Sequence, residues 1–113
     1  MCKRILVVDG QGGKLGRSLI EAIRARCPQA EITAVGTNGM ATSAMAKAKP
    51  DHMATGENAV IVCSRTAELI VGPIGMVIAD SLLGEITPAM AVAVGQSSAE
   101  KLLLPVGGQC SKV

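Results

Sequence analysis

Fold class is constrained within the first 25 residues. Arg4-Ile-Leu-Val-Val-Asp9 is an apolar, β-branched run that stops at an acid. Gly10-Gln-Gly-Gly-Lys-Leu-Gly16 follows, and Arg17–Ile23 continues at helical spacing. A strand apolar on both faces suits the centre of a parallel sheet. Parallel neighbours need long crossovers, which are usually helical, so an α/β fold follows. A glycine turn between such a strand and a helix aims backbone N–H groups at an anion, as in phosphate-binding loops.

The remainder of the chain reads as more of the same unit. Leu15, Leu19, Ile20 and Ile23 form one stripe of a helix over about Lys14–Arg26, which Pro28 stops. Glu31–Val35 is the second strand and Gly36-Thr-Asn38 its turn. A helix over about Asn38–Lys49 is then expected, capped by Thr37 or Asn38. Residues 50–72 admit two readings. Asn58–Cys63 has strand propensity, but a strand there leaves about five residues before the strand at Glu68–Gly72, too few for a parallel crossover. The preferred reading is a short strand at Asp51–Ala54 and a helix over Gly56–Ala67 capped by Thr55. Further helices are predicted from Pro73 to Leu83 and from Pro88 to about Gly95, and a last strand over Lys101–Val106. The expected architecture is one Rossmann-like three-layer domain over residues 1–113. Its sheet has five mainly parallel strands in the order 3-2-1-4-5.

Composition bears on assembly and location. The 113 residues include no Phe, Tyr or Trp, so Val, Ile, Leu, Ala and Met must build the core. These bury less area per side chain than aromatics, and a homo-oligomer is expected to bury more. The net charge of +2 is spread over scattered Lys and Arg without aromatic platforms, which argues against nucleic-acid binding. No apolar run reaches the ~20 residues that span a bilayer. Met1-Cys-Lys-Arg leads directly into the first strand, and the four cysteines form no CxxC pair. A cytoplasmic protein with reduced thiols and no metal site is expected.

A ligand site is predicted where the strands end. The loop glycines, Gly10, Gly12, Gly13 and Gly16, depart from G-x-G-x-x-G but satisfy G-x-x-G-x-x-G at 10, 13 and 16. With Gln11 they meet the needs of a tight turn and close backbone approach. A P-loop would need Gly at position 11 and Lys at 17, where the chain has Gln11 and Arg17. The NAD fingerprint asks for an acid after strand two to hold the ribose hydroxyl. Gly36-Thr37-Asn38 supplies none, and the Arg expected for a 2′-phosphate is absent too; the cofactor is left open, with NADP or another nucleotide as candidates and Thr37 and Asn38 either binding a phosphate or capping the helix. Thr55-Gly56-Glu57-Asn58 and Gly72-Pro-Ile-Gly75 leave strands at the same edge, so these residues join the predicted site. Candidate catalytic groups are few. Glu57, near a helix N-terminus, and Cys110, past the last strand, are the leading ones, and His52 suits a surface or packed position. Asp9 is placed to orient the glycine loop; Asp80 and Glu85 have no sequence reason to converge on it.

The first 25 residues resemble the nucleotide loops of dihydrodipicolinate reductases and extended short-chain dehydrogenases. Over nearly its full length the chain resembles an uncharacterised bacterial family of short Rossmann-like proteins, a domain of unknown function. Asp9–Gly13, Gly36–Asn38 with Ala41–Met45, Thr55–Asn58, Gly72–Gly75 and Gly84–Pro88 carry that likeness. It implies a shared site and brings no activity with it. The function expected is binding of a nucleotide or dinucleotide phosphate. The alternatives are a non-catalytic oligomeric or regulatory module and a small enzyme acting on a phosphorylated substrate.

Overall fold

The computed structural model describes residues 3–105. Its sheet comprises β1 (Arg4–Asp9), β2 (Glu31–Gly36), β3 (His52–Thr55), β4 (Leu69–Pro73) and β5 (Glu100–Leu104). All neighbours pair in parallel, in the order β3-β2-β1-β4-β5, which is the order the sequence predicts. β1 is central, pairing with β2 from Arg4↔Glu31 to Asp9↔Gly36 and with β4 from Ile5↔Leu69 to Val7↔Val71.

Strand alternation divides the core in two. Leu6 and Val8 of β1 point to one face with Val35, Ile70, Val60, Met90 and Val94. That face is covered by α3 (Glu57–Ser64) and α4 (Pro88–Gln96). Ile5 and Val7 point to the other, with Ile32, Ala34, Val71, Ile20 and Met45, beneath α1 (Lys14–Arg26) and α2 (Gly39–Ala46). The result is a helix–sheet–helix sandwich built without an aromatic side chain.

Caps explain the helix boundaries. Asn38 Oδ1 accepts the Ala41 N–H at 2.8 Å, which makes Asn38 rather than Thr37 the cap of α2. Residues 57–64 are helical despite their β-branched composition, because the crossover from β3 to β4 requires it. The predicted Thr55 cap of α3 is not formed. Gly56 takes that place at φ 104°, and Thr55 Oγ1 instead pairs with Thr42 Oγ1 at 2.7 Å. Thr87 Oγ1 accepts the Met90 N–H at 3.1 Å, with Pro88 in the first turn of α4.

The predicted helix over Pro73–Leu83 is the main correction. Only a 3-10 turn, Ile74–Val77, forms there. Pro73 ends β4 in extended backbone, and Ile78 is extended again at φ −117°, ψ 109°. Ser81 Oγ donates to the Gly75 carbonyl at 2.6 Å, occupying an acceptor a helix would use. Asp80, Leu82, Leu83 and Gly84 then adopt positive φ, which turns the chain back and buries Ile86 completely. The spacing of Ile74, Val77, Ile78 and Leu82 mimics a helical stripe, but Ile74 and Ile78 are exposed. The end of the predicted last strand, at Val106, and Cys110 lie outside the described residues. Among the described residues no helix is long and apolar enough to cross a membrane.

Candidate functional site

From β1 the chain winds outward through β2 to β3, and from β4 outward to β5 on the opposite side. The connections therefore diverge above the carboxyl ends of β1 and β4, where open α/β sheets hold ligands. The glycine loop leaves β1 at this point.

Asp9 organises that loop. Its carboxylate is buried, with Oδ1 accepting the Gly10 N–H at 2.8 Å and Oδ2 the Gly16 N–H at 2.6 Å. Burial pushes its pKa up; the two N–H donors oppose this, and the nearby charge of Glu85 adds to the rise. The turn closes through Gly13 N–H to the Gly10 carbonyl at 3.0 Å. Gly13 caps α1 at φ 74°, where a side chain would meet the Ala41 carbonyl oxygen at 2.5 Å. Gly16 lies against Met45 and Asp9, so a side chain there would separate α1 from the sheet. Gly12 differs: nothing lies within 4 Å of where its side chain would be. Among the described residues, the N–H groups of Gly12, Lys14 and Leu15 have no protein acceptor, so the entrance to α1 presents free donors.

A residue that sequence reasoning set aside completes the edge. Glu85 Oε1 accepts the Gln11 N–H at 2.8 Å, the Thr37 hydroxyl at 2.6 Å and the Asn38 amide at 3.1 Å. Partial burial opposes its charge, but the three donors outweigh that and hold its pKa below the usual 4.5. Gly10 is a glycine because Glu85 Oε1 and Thr37 Oγ1 would each lie 2.7 Å from a side chain there. Asn38 also donates to the Gln11 carbonyl at 3.2 Å, tying the β2 turn to the glycine loop. The one sequence signal for Glu85 is its place in the β4–α4 connection, which the topology puts on the carboxyl edge, just before the Thr87-Pro88 helix start.

The other predicted residues divide. Glu57 reaches the edge, but its Oε2 accepts the Thr87 hydroxyl at 2.6 Å, tying α3 to the start of α4. Thr55 and Asn58 are exposed beside it. Gly72 and Gly75 are buried for internal reasons: a side chain would meet the Val8 carbonyl oxygen at 2.5 Å and Ser81 Oγ at 3.0 Å, respectively. His52 lies at the amino end of β3, exposed and bonded to Glu31 Oε2 at 2.9 Å, away from the loops. Burial raises the Cys63 thiol pKa, which disfavours its thiolate form. A cavity of about 560 Å³, wide open, lies at the opposite edge between Lys3, Arg65, Glu68 and Glu100. No group of three or more metal-ligating side chains converges among the described residues.

No curated protein matches the chain in sequence. Residues 4–113 match a family described as a domain of unknown function, DUF3842, and the chain belongs to that family.

Proposed function

We propose that the protein binds a small phosphate-bearing ligand of the nucleotide class across the carboxyl ends of β1 and β2. The observation that carries this reading is the set of unpaired donors at the start of α1. The N–H groups of Gly12, Lys14 and Leu15 have no protein acceptor among the described residues, and the Gly12 surface is open to close approach. A thirteen-residue helix adds its positive end to these donors. The Asp9 carboxylate turns inward to Gly10 and Gly16, so it braces the loop from beneath. NADP is a less fitting ligand than a ribonucleotide without a 2′-phosphate, because Glu85 brings negative charge beside Thr37 and Asn38.

Thermal-shift measurements with NAD, NADP, ATP, AMP and GMP test this reading. A nucleotide is expected to raise the melting temperature of the wild-type chain and to leave that of Gly12→Val unmoved. Gly12 suits this purpose because nothing lies within 4 Å of where its Cβ would be. An intact fold indifferent to all five compounds would instead favour a non-catalytic module. That second reading draws on exposed Val62 of α3 and Val92 of α4, apolar surface that self-association would cover.

A further inference from the structure

We infer that Glu85 is the residue that reads the ligand's sugar, accepting a free ribose hydroxyl and rejecting a 2′-phosphate. This rests on the nucleotide reading above and specifies its ligand: a ribonucleotide whose 2′-hydroxyl is unmodified. A dinucleotide-binding βαβ unit ordinarily takes this acid from the end of its second strand. Here that position is Gly36-Thr37-Asn38, which has none. The structure fills the place from 48 residues away, setting the Glu85 carboxylate 2.6 Å from Thr37 Oγ1 and 2.8 Å from the Gln11 N–H.

The two carboxylate oxygens differ. Oε1 takes all three internal hydrogen bonds, from Gln11, Thr37 and Asn38. Oε2 has no partner among the described residues and retains its capacity to accept. An anchored carboxylate with one free oxygen is suited to a hydroxyl donor and repels a second anion. The donors also hold the Glu85 pKa below its usual value.

The segment carrying Glu85 is built to hold it still. The Asp80 N–H donates to the Ile86 carbonyl at 2.6 Å, Gly84 N–H to the Asp80 carbonyl at 3.1 Å, and Glu85 N–H to the Leu82 carbonyl at 3.2 Å. Ile86 is fully buried next to it, and Leu82 packs on the same core cluster. A recognition group fixed before the ligand arrives loses little freedom on binding.

Titration calorimetry with the 5′-monophosphates of the four ribonucleosides, their 2′-deoxy counterparts and adenosine 2′,5′-bisphosphate tests the inference on the wild type, Glu85→Ala and Glu85→Gln. The wild type is expected to prefer its ribonucleotide to the deoxy form by about tenfold or more. It should disfavour the bisphosphate likewise. Glu85→Ala should erase the deoxy discrimination, and Glu85→Gln should admit the bisphosphate. Equal wild-type affinity for ribo and deoxy forms would overturn the role of Glu85 while leaving the nucleotide site standing. So would tighter ribonucleotide binding by Glu85→Ala, which would make the carboxylate an obstruction. Absence of binding by any of these compounds to the folded wild type would overturn the nucleotide reading itself.

Discussion

Glu85 Oε1 accepts the Thr37 hydroxyl at 2.6 Å across 48 residues of sequence, and so joins the β4–α4 connection to the end of β2. Thr37→Val removes that donor and leaves the Gln11 and Asn38 bonds. A hydrogen bond to a charged group contributes about 1.5–3 kcal/mol, and partial exposure here reduces it to roughly 1 kcal/mol. The Glu85 pKa should also move back up towards 4.5. Carboxyl-carbon NMR titration of both proteins measures the pKa, and urea unfolding measures the stability.

The same carboxylate sets part of the acid limit. The folded pKa of Glu85 lies below its usual 4.5, so its contribution is whole above pH 4.5. It is lost as pH falls through the folded value. Melting curves from pH 7 to 3 should therefore fall more steeply below pH 4.5 for the wild type than for Glu85→Gln.

Asp9 acts in the opposite sense. Its folded pKa is raised above 3.8, so its contribution to stability is fullest below pH 3.8 and is lost as pH rises through the folded value. Asp9→Asn can accept one of the two N–H groups, of Gly10 and Gly16, and points its amide at the other. The expected loss is about 1–3 kcal/mol. That deficit should narrow as pH rises from below 3.8. Denaturant titrations at several pH values give it directly.

These relationships mark where sequence reading succeeds and where it stops. β1, α1 and the strand order follow from local runs of apolar residues and from the length a parallel crossover needs. The helix at Glu57–Ser64 was legible for the same reason, although its residues favour strand. Glu85 was not, because its partners are set by a loop whose shape depends on tertiary contacts. Ser81 capturing the Gly75 carbonyl and the burial of Ile86 replace the helix that local periodicity favours. The glycines were found but not their reasons. Gly10, Gly13 and Gly16 answer to Glu85, Ala41 and Met45, which no spacing rule reveals.

Gly12 and Gly13 should accordingly respond in contrasting ways to the same change. Gly13→Ala forces a left-handed side chain against the Ala41 backbone and should lower stability by about 2 kcal/mol or more. Gly12→Ala meets open space and should change stability by no more than about 0.5 kcal/mol. Paired urea unfolding curves separate the two.

Leu83 offers a test of the loop itself. It is 98% exposed at φ 57°, so its side chain gains little from burial while its backbone is strained. Leu83→Gly should raise stability by about 0.5–1 kcal/mol, readable as a higher melting temperature. A fall would mean that the strain relieved at this position is smaller than the freedom glycine adds to the unfolded chain.

A residue-resolved titration shows whether the entrance to α1 holds the ligand. In amide correlation spectra, a ribonucleoside 5′-monophosphate added to the wild type should shift Gly12, Lys14 and Leu15 first, with Gln11 and Glu85 following. Shifts confined to Lys3, Arg65 and Glu100 at the opposite edge, or none at all, would rule out a ligand site at the entrance to α1.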